Sequence, residues 1–190
     1  MKDSPSGLQP VEVSAAMLFD RAIAHCARRT REGPNAVFER LRACDPETHA
    51  TFRYALAKGI GEYLGSLGAA IRAVYVYGSA MGEASSPCSD IDMILDLDHN
   101  TDRIDRLMRG LDIALVTQFR ALFPWAGRIR SLLDVRIVGA KQGKTGDRYC
   151  GDLLGSRTVP ICLWRGHAAS PGTQAGHRAL MNSCFIRRGL

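Results

Sequence analysis

The sequence predicts an α/β (α+β) fold in which an N-terminal helical segment precedes a mixed sheet flanked by helices. Apolar residues recur at helical three-to-four spacing through the first third of the chain. Short β-branched and aromatic runs then alternate with one long amphipathic stretch. The length of 190 residues suits one domain, and 46% hydrophobic with 23% charged residues excludes a disordered or collagen-like chain.

The first third predicts three helices. Gly33 and Pro34 break the first helix, and Pro34 suits the first turn of the second. Asp45 followed by Pro46 is typical of an N-cap and the first helical position after it, so a third helix starts there. The three predicted helices span residues 14–31, 34–43 and 46–67.

The remainder predicts four strands and one further helix. The strands are expected at 71–77, 90–97, 131–138 and 158–164, and the helix at 101–123. Pro160 predicts that the last strand lies at an edge, because proline lacks the N–H that a central strand donates. The predicted organisation is a helical N-terminal segment (1–68), a core (69–165) and a flexible tail (166–190).

Composition predicts a cytoplasmic protein without a membrane segment. No uncharged apolar stretch approaches the roughly 18 residues that a spanning helix needs, and residues 1–10 lack the apolar region of a secretory signal. The 6 cysteines form no C-x-x-C pair, so reduced thiols are expected. The net charge of +6, with an acidic centre and a basic C-terminal half, suits either a nucleotide or nucleic-acid partner or a solvated basic surface.

Three carboxylates carry the functional prediction. Asp90 and Asp92 share one face of their predicted strand, because strand side chains alternate. Two neighbouring carboxylates repel each other, and Mg²⁺, which prefers such hard oxygen ligands, removes that cost. Asp134 interrupts another apolar strand, and if the two strands are neighbours the three acids converge. Such a cluster is the requirement for a two-metal site.

A glycine–serine turn precedes these acids. Gly78 permits close approach of the backbone to a phosphate, and Ser79 adds a hydroxyl donor. The order of strand, Gly-Ser turn, loop and Asp-x-Asp strand therefore predicts a phosphate cradle facing a metal site. Arg136, Lys141 and Lys144 are candidates for phosphate contacts, with a solvated basic loop as the alternative.

Gly78-Ser79, ten intervening residues, Asp90-Ile91-Asp92 and the isolated Asp134 together resemble the nucleotidyltransferase superfamily that includes DNA polymerase beta. The similarity is closest to its small stand-alone prokaryotic members and covers residues 71–138. It implies a nucleotidyltransferase-like mixed sheet and transfer of a nucleoside monophosphate from a nucleoside triphosphate to an acceptor hydroxyl, with release of pyrophosphate. ATP is the default donor.

The resemblance also implies roles for residues. Asp90 and Asp92 would ligate Mg²⁺ (Mn²⁺ is the alternative), and Asp134 would complete the metal site and help deprotonate the acceptor hydroxyl. Gly78, Ser79 and Ser89 would bind the nucleotide. The acceptor is unassigned among small molecules, proteins and nucleic acids. The helical first third is a candidate for holding the acceptor or for forming a homodimer.

Several alternatives stay open. The small relatives carry an arginine and then a glycine after the Gly-Ser turn, whereas Met81-Gly82 stands here; this favours a catalytically degenerate module that binds a nucleotide or a partner. A basic nucleic-acid-binding protein without chemistry is a third class. The acids themselves have structural alternatives: exposed edge positions for Asp90 and Asp92, and for Asp134 a salt bridge to Arg128 or Arg130. Asp96 and Asp98 are expected past the strand's end, capping the next helix.

Overall fold

The structure is a computed structural model that describes residues 11–67, 71–78, 86–98, 102–139 and 160–166. These residues form a mixed α+β fold, which confirms the predicted fold class. The predicted tail (166–190) lies outside them except for Gly166. In chain order the elements are α1 (Val11–Thr30), α2 (Pro34–Arg42), α3 (Pro46–Ser66), β1 (Ile71–Tyr77), β2 (Ile91–Leu97), α4 (Asp102–Leu122), a 3₁₀ helix (Pro124–Arg128), β3 (Leu133–Gly139) and β4 (Ile161–Arg165).

The helix starts follow the predicted signals. Pro34 and Pro46 occupy the first turns of α2 and α3, where a missing N–H costs nothing. The Asp45 carboxylate caps α3 by accepting a 2.9 Å hydrogen bond from the backbone N–H of Thr48, and the bonds from Thr48 hold the pKa of Asp45 below its usual range. None of the helices in the described part of the chain has both the length and the apolar character needed to cross a bilayer.

The sheet has the strand order β3-β2-β1-β4. β1 pairs antiparallel with both β2 and β4, whereas β2 and β3 are parallel, and α4 makes the crossover that parallel neighbours require. β4 therefore lies at an edge of the described sheet, as Pro160 predicts. The parallel pairing of β2 and β3 is the feature that positions the candidate site.

The helices pack on one face of the sheet. Ile91, Met93 and Leu95 of β2 point into a core that they share with buried side chains from α1, α2, α3 and α4. Side chains of the opposite parity form a smaller cluster on the other face, composed of Ala73, Tyr75, Tyr77 and Ile94. Asp92, which lies between Ile91 and Met93, belongs to this second face. The acidic side chains therefore lie away from the helical layer.

His49 of α3 is a fully buried histidine in the helical layer. Its Nε2 lies 2.9 Å from the carbonyl oxygen of Leu41, and because a carbonyl only accepts, the neutral ring carries its proton on Nε2. Nδ1 has no hydrogen-bond partner among the described residues. The ring packs edge-on against Trp125, with centroids 5.5 Å apart. Burial is the main cause that lowers the pKa of His49 below its usual value, and the charge of Arg53 adds to it.

We expect the protein to lose stability in acid through His49. The unfolded histidine takes up a proton near pH 6.5, but the folded ring does so only at lower pH, so the unfolded state binds more protons as the pH falls below about 6.5. Urea unfolding at pH 7.5 and 5.5 should show a lower free energy of unfolding at pH 5.5. His49→Gln, which cannot titrate, should reduce this difference. An equal pH dependence in both proteins would contradict the assignment.

Candidate metal centre

The parallel register of β2 and β3 brings three carboxylates together. Asp92 lies directly opposite Asp134 in this register, and Asp90 immediately precedes β2. One carboxylate oxygen from each of Asp90, Asp92 and Asp134 lies within 4.8 Å of the other two. The predicted convergence of these acids, which required β2 and β3 to be neighbours, is therefore confirmed.

The donor set fits a divalent cation. Asp92 is half-buried, whereas Asp90 and Asp134 are exposed, so the cluster is open to solvent on one side. All three ligand atoms are hard carboxylate oxygens, and a cation would offset their mutual repulsion. Neither Arg128 nor Arg130 forms a salt bridge with Asp134 within the described ranges, so the structural alternative for this acid finds no support. The three acids are therefore candidate metal ligands.

Gly78 packs directly against Asp92. It follows β1 with a φ of +72°, a conformation that residues with a Cβ rarely adopt. A Cβ built on Gly78 would lie 2.1 Å from Oδ2 of Asp92, far inside contact distance. The glycine is therefore required twice, once by its backbone conformation and once by the carboxylate beside it. Ser79, predicted to bind the nucleotide, lies outside the described residues.

A hydrogen-bonded turn leads into Asp90. The backbone N–H of Ser89 donates to the carbonyl of Ser86 at 2.9 Å, and the backbone N–H of Ser86 donates to Oγ of Ser89 at 3.1 Å. The N–H of Cys88 also donates to Oγ of Ser86, at 3.2 Å. Beyond the turn, the N–H of Ile91 donates to the carbonyl of Leu132 at 2.8 Å, which ties the start of β2 to the start of β3. Ser89 thus lies one residue before the candidate ligands with its hydroxyl oxygen engaged in the turn.

Asp112 of α4 fixes the start of β3. Its Oδ1 accepts hydrogen bonds from the backbone N–H groups of Leu132 at 2.8 Å and Leu133 at 3.0 Å, and its Oδ2 accepts from the hydroxyl of Ser131 at 2.9 Å. These contacts hold the segment immediately before Asp134. Asp112, a helix residue about twenty positions away in sequence, therefore helps to fix the position of Asp134.

Asp112→Ala should destabilise the protein by about 2 kcal/mol, because hydrogen bonds to a charged acceptor contribute more than neutral ones and two backbone donors lose their partner. Urea unfolding at pH 7 measures this loss. Asp105→Ala on the same helix is the control: it makes no comparable contact within the described ranges and loses only the interaction of a first-turn acid with the helix dipole, so it should lower the free energy of unfolding by at most about 1 kcal/mol. Equal effects of the two substitutions would show that Asp112 does not anchor β3.

Tyr77 and Arg136 flank the acids on the same face of the sheet. Tyr77 lies opposite Asp92 in the β1–β2 pairing, and the guanidinium carbon of Arg136 lies 5.7 Å from the centre of its ring. The hydroxyl of Tyr77 is buried without a hydrogen-bond partner among the described residues. Burial raises the pKa of Tyr77; Arg136 opposes this rise, and the three acids add to it. The position of Tyr77 beside Gly78 was the only sequence signal for it.

Arg53 of α3 is a second residue that the sequence analysis missed. It is 1% exposed, and its Nη2 donates a hydrogen bond to the carbonyl of Pro87, in the turn before Asp90. Burial lowers the pKa of Arg53 to about 10, and the charge of Asp90 partly counteracts this effect. No sequence signal connects Arg53 with Pro87, because the two residues are separated by 34 positions.

Asp96 does not have the predicted helix-capping role. It lies within β2, is 6% exposed, and accepts a 3.1 Å hydrogen bond from Nε of Arg72 on β1. Asp98, just beyond β2, is 3.5 Å from the same Nε. Both acids thus lie close to a guanidinium on the adjacent strand, which explains how the side chain of Asp96 is tolerated inside a strand.

Comparisons with known proteins identify no relative of this chain. No family model, no curated protein and no solved structure matches the chain. Its function is therefore argued from the carboxylate cluster and its surroundings.

Proposed function

We propose that this chain is a Mg²⁺-dependent nucleotidyltransferase that moves a nucleoside monophosphate from a nucleoside triphosphate to an acceptor hydroxyl. The observation that carries the proposal is the group of three carboxylates within 4.8 Å of one another at the start of two parallel strands, beside a glycine of positive φ. ATP is the first donor to test. The acceptor hydroxyl belongs to a small molecule, a protein or a nucleic acid.

The proposed reaction is an in-line displacement at the α-phosphorus. A bond forms from the acceptor oxygen to phosphorus, the bond to the pyrophosphate oxygen breaks, and the acceptor proton passes to a carboxylate. When bound, Mg²⁺ would supply charge stabilisation for the phosphate oxygens and the leaving group. Asp90 and Asp92 would hold it with Asp134, and Asp134, which is exposed, would also orient the acceptor hydroxyl and take its proton.

The surroundings of the cluster support a polyphosphate ligand. Gly78 leaves room for the carboxylate of Asp92 against the end of β1, so the backbone that follows β1 lies directly beside the candidate metal ligands. Arg136, on the same sheet face as Asp134, adds a positive charge two residues along β3. Ser79 and Ser89 remain the predicted hydroxyl contacts. A metal ligand set and a cationic neighbour are what binding a metal–nucleotide complex requires.

Thermal unfolding with each of the four nucleoside triphosphates, with and without Mg²⁺, tests the binding part of the proposal. A ligand at about a hundred times its Kd adds roughly 2.7 kcal/mol to the free energy of unfolding, which raises the midpoint visibly. We expect one nucleotide to stabilise the protein only when Mg²⁺ is present. No shift with any nucleotide would overturn the proposal.

Label transfer tests the chemical part. With the stabilising nucleotide labelled at its α-phosphate, label should appear on an acceptor in a screen of aminoglycoside-like polyols, cell protein and cell RNA, with equimolar release of pyrophosphate. Metal-dependent binding with neither label transfer nor pyrophosphate release would instead identify the degenerate binding module that Met81-Gly82 favours. Binding of RNA that is steeply salt-dependent and survives loss of the carboxylates would identify a nucleic-acid-binding protein.

A further inference from the structure

Arg53 is an arginine buried inside the helical layer. It is 1% exposed and is the largest of the fully buried side chains in the described part of the chain. Its Nη2 donates to the carbonyl of Pro87, whereas Nε and Nη1 have no hydrogen-bond partner among the described residues. An arginine with two unpartnered donors in such a position is unusual, because buried polar groups are nearly always hydrogen-bonded.

This arrangement costs the folded protein free energy. Removing a guanidinium from water is expensive, and the single bond to Pro87 satisfies only part of its donors. The same burial lowers the pKa of Arg53 to about 10. An apolar side chain of similar length would fill the same volume without that cost. Stability alone therefore gives no reason for an arginine here, so its role is sought in what it contacts.

The contact that Arg53 makes is the turn that carries Asp90. Pro87 lies three residues before Asp90, and the turn is closed by the bonds between Ser86 and Ser89. The other end of this segment is tied to β3 through Ile91 and Leu132. Arg53 is thus the described side chain that links α3 to the turn. Among the groups that favour its charged form, Asp90 contributes most.

We propose that Arg53 is a positioning residue of the metal centre. Its guanidinium holds the carbonyl of Pro87 and thereby holds the turn. The carboxylate of Asp90 then stays close enough to those of Asp92 and Asp134 to share one cation with them. The inference rests on the metal centre of the proposed function. It assigns to a buried helix residue the placement of a ligand that is itself exposed.

The charge of Arg53 and its positioning role predict opposite changes in the Kd for a divalent cation when this arginine is replaced. A nearby positive charge repels a divalent cation, so its removal alone would tighten metal binding. Loss of positioning would instead let Asp90 move away and weaken binding. Groups that orient metal ligands typically contribute tenfold to hundredfold in affinity. The direction of the change in Kd therefore separates the two roles.

The test measures Mn²⁺ affinity by the electron paramagnetic resonance signal of free Mn²⁺, without nucleotide, together with urea unfolding. Arg53→Met, which keeps an unbranched side chain in the same space, should raise the Kd for Mn²⁺ about tenfold. Its free energy of unfolding without metal should stay unchanged or rise. Arg40→Met is the matched control, because Arg40 pairs with the helix cap Asp45 and not with the turn, and should leave the Kd unchanged.

An unchanged or lower Kd in folded Arg53→Met overturns the inference. If Arg53→Met does not fold, Arg53→Lys decides, since it keeps the charge but loses the planar donor group. A raised Kd in Arg53→Lys supports positioning, and the wild-type Kd overturns it. Suppose that the wild type binds Mn²⁺, that Asp92→Asn abolishes this binding, and that the Arg53 variants bind with the wild-type Kd. In that case only the inference on Arg53 fails, and the metal centre stands. A wild type that binds no Mn²⁺ overturns the metal centre as well.

Discussion

Replacing Asp92 with asparagine is expected to abolish metal binding while leaving the fold intact. Asparagine has nearly the shape of aspartate, so the side chain still fits between Gly78 and Asp134. It removes one of three negative ligand atoms that lie within 4.8 Å of one another. Because groups that merely orient ligands contribute up to about a hundredfold in affinity, loss of a ligand should raise the Kd for Mn²⁺ by more than about a hundredfold. Thermal unfolding with and without Mn²⁺ measures it.

The loss of metal binding in Asp92→Asn should not be accompanied by a loss of stability in the metal-free protein. The three carboxylates repel one another when no cation is present, so Asp92→Asn should leave the midpoint unchanged or raise it. Asp98→Asn is the control: it removes the same charge about 20 Å away, just beyond the far end of β2, and should keep the response to Mn²⁺. A folded Asp92→Asn protein that retains the wild-type response would contradict the assignment of the three acids to a metal centre.

Local sequence signals were enough to predict the elements. Proline at the first turns of α2 and α3 marked helix starts, and a β-branched and aromatic run marked β1. The alternation of side chains along a strand placed Asp90 and Asp92 on one face. Each of these signals acts over a few residues, through backbone sterics or capping, and such preferences are visible in sequence.

The convergence of Asp134 with the other two acids was predicted conditionally. It depends on β2 and β3 being neighbours and on their register, which pairs Asp92 with Asp134. The register in turn depends on the crossover through α4 and on the contacts of Asp112 with the start of β3. Neither feature produces a local pattern, because Asp112 resembles any polar residue on an amphipathic helix.

Arg53 and Asp96 show where prediction from sequence fails. Arg53 was not singled out within the predicted helix 46–67, and only the tertiary structure shows that it is buried against the turn before Asp90. Asp96 was expected past the end of the strand, as a cap of the next helix, whereas it lies within β2. Arg72 on the adjacent strand supplies its partner, and the pairing of two distant strands is needed to see it. The omission of Arg53 and the wrong placement of Asp96 both concern buried charged residues whose partners are remote in sequence.

Replacing Gly78 with alanine is expected to damage the metal centre more severely than its small size suggests. At a φ of +72° a residue with a Cβ is destabilised by roughly 1–2 kcal/mol, and the added methyl would lie 2.1 Å from Oδ2 of Asp92. Relief of that contact must move the carboxylate out of the cluster or move the end of β1. We therefore expect Gly78→Ala to lower the free energy of unfolding by about 1–2 kcal/mol or more and to raise the Kd for Mn²⁺ by more than about a hundredfold.

Gly127→Ala provides the control, because a Cβ at Gly127 meets no atom within 4 Å and its φ is not positive. This variant should keep both the wild-type stability, to within about 0.5 kcal/mol, and the wild-type Kd for Mn²⁺. The double variant Gly78→Ala with Asp92→Asn separates backbone strain at residue 78 from displacement of the Asp92 carboxylate. If displacement is the cause, the two losses of Mn²⁺ affinity should not add, since each substitution already removes the same ligand. Wild-type Mn²⁺ affinity in a destabilised Gly78→Ala protein would show that the glycine serves the backbone alone, and that the carboxylate of Asp92 tolerates displacement.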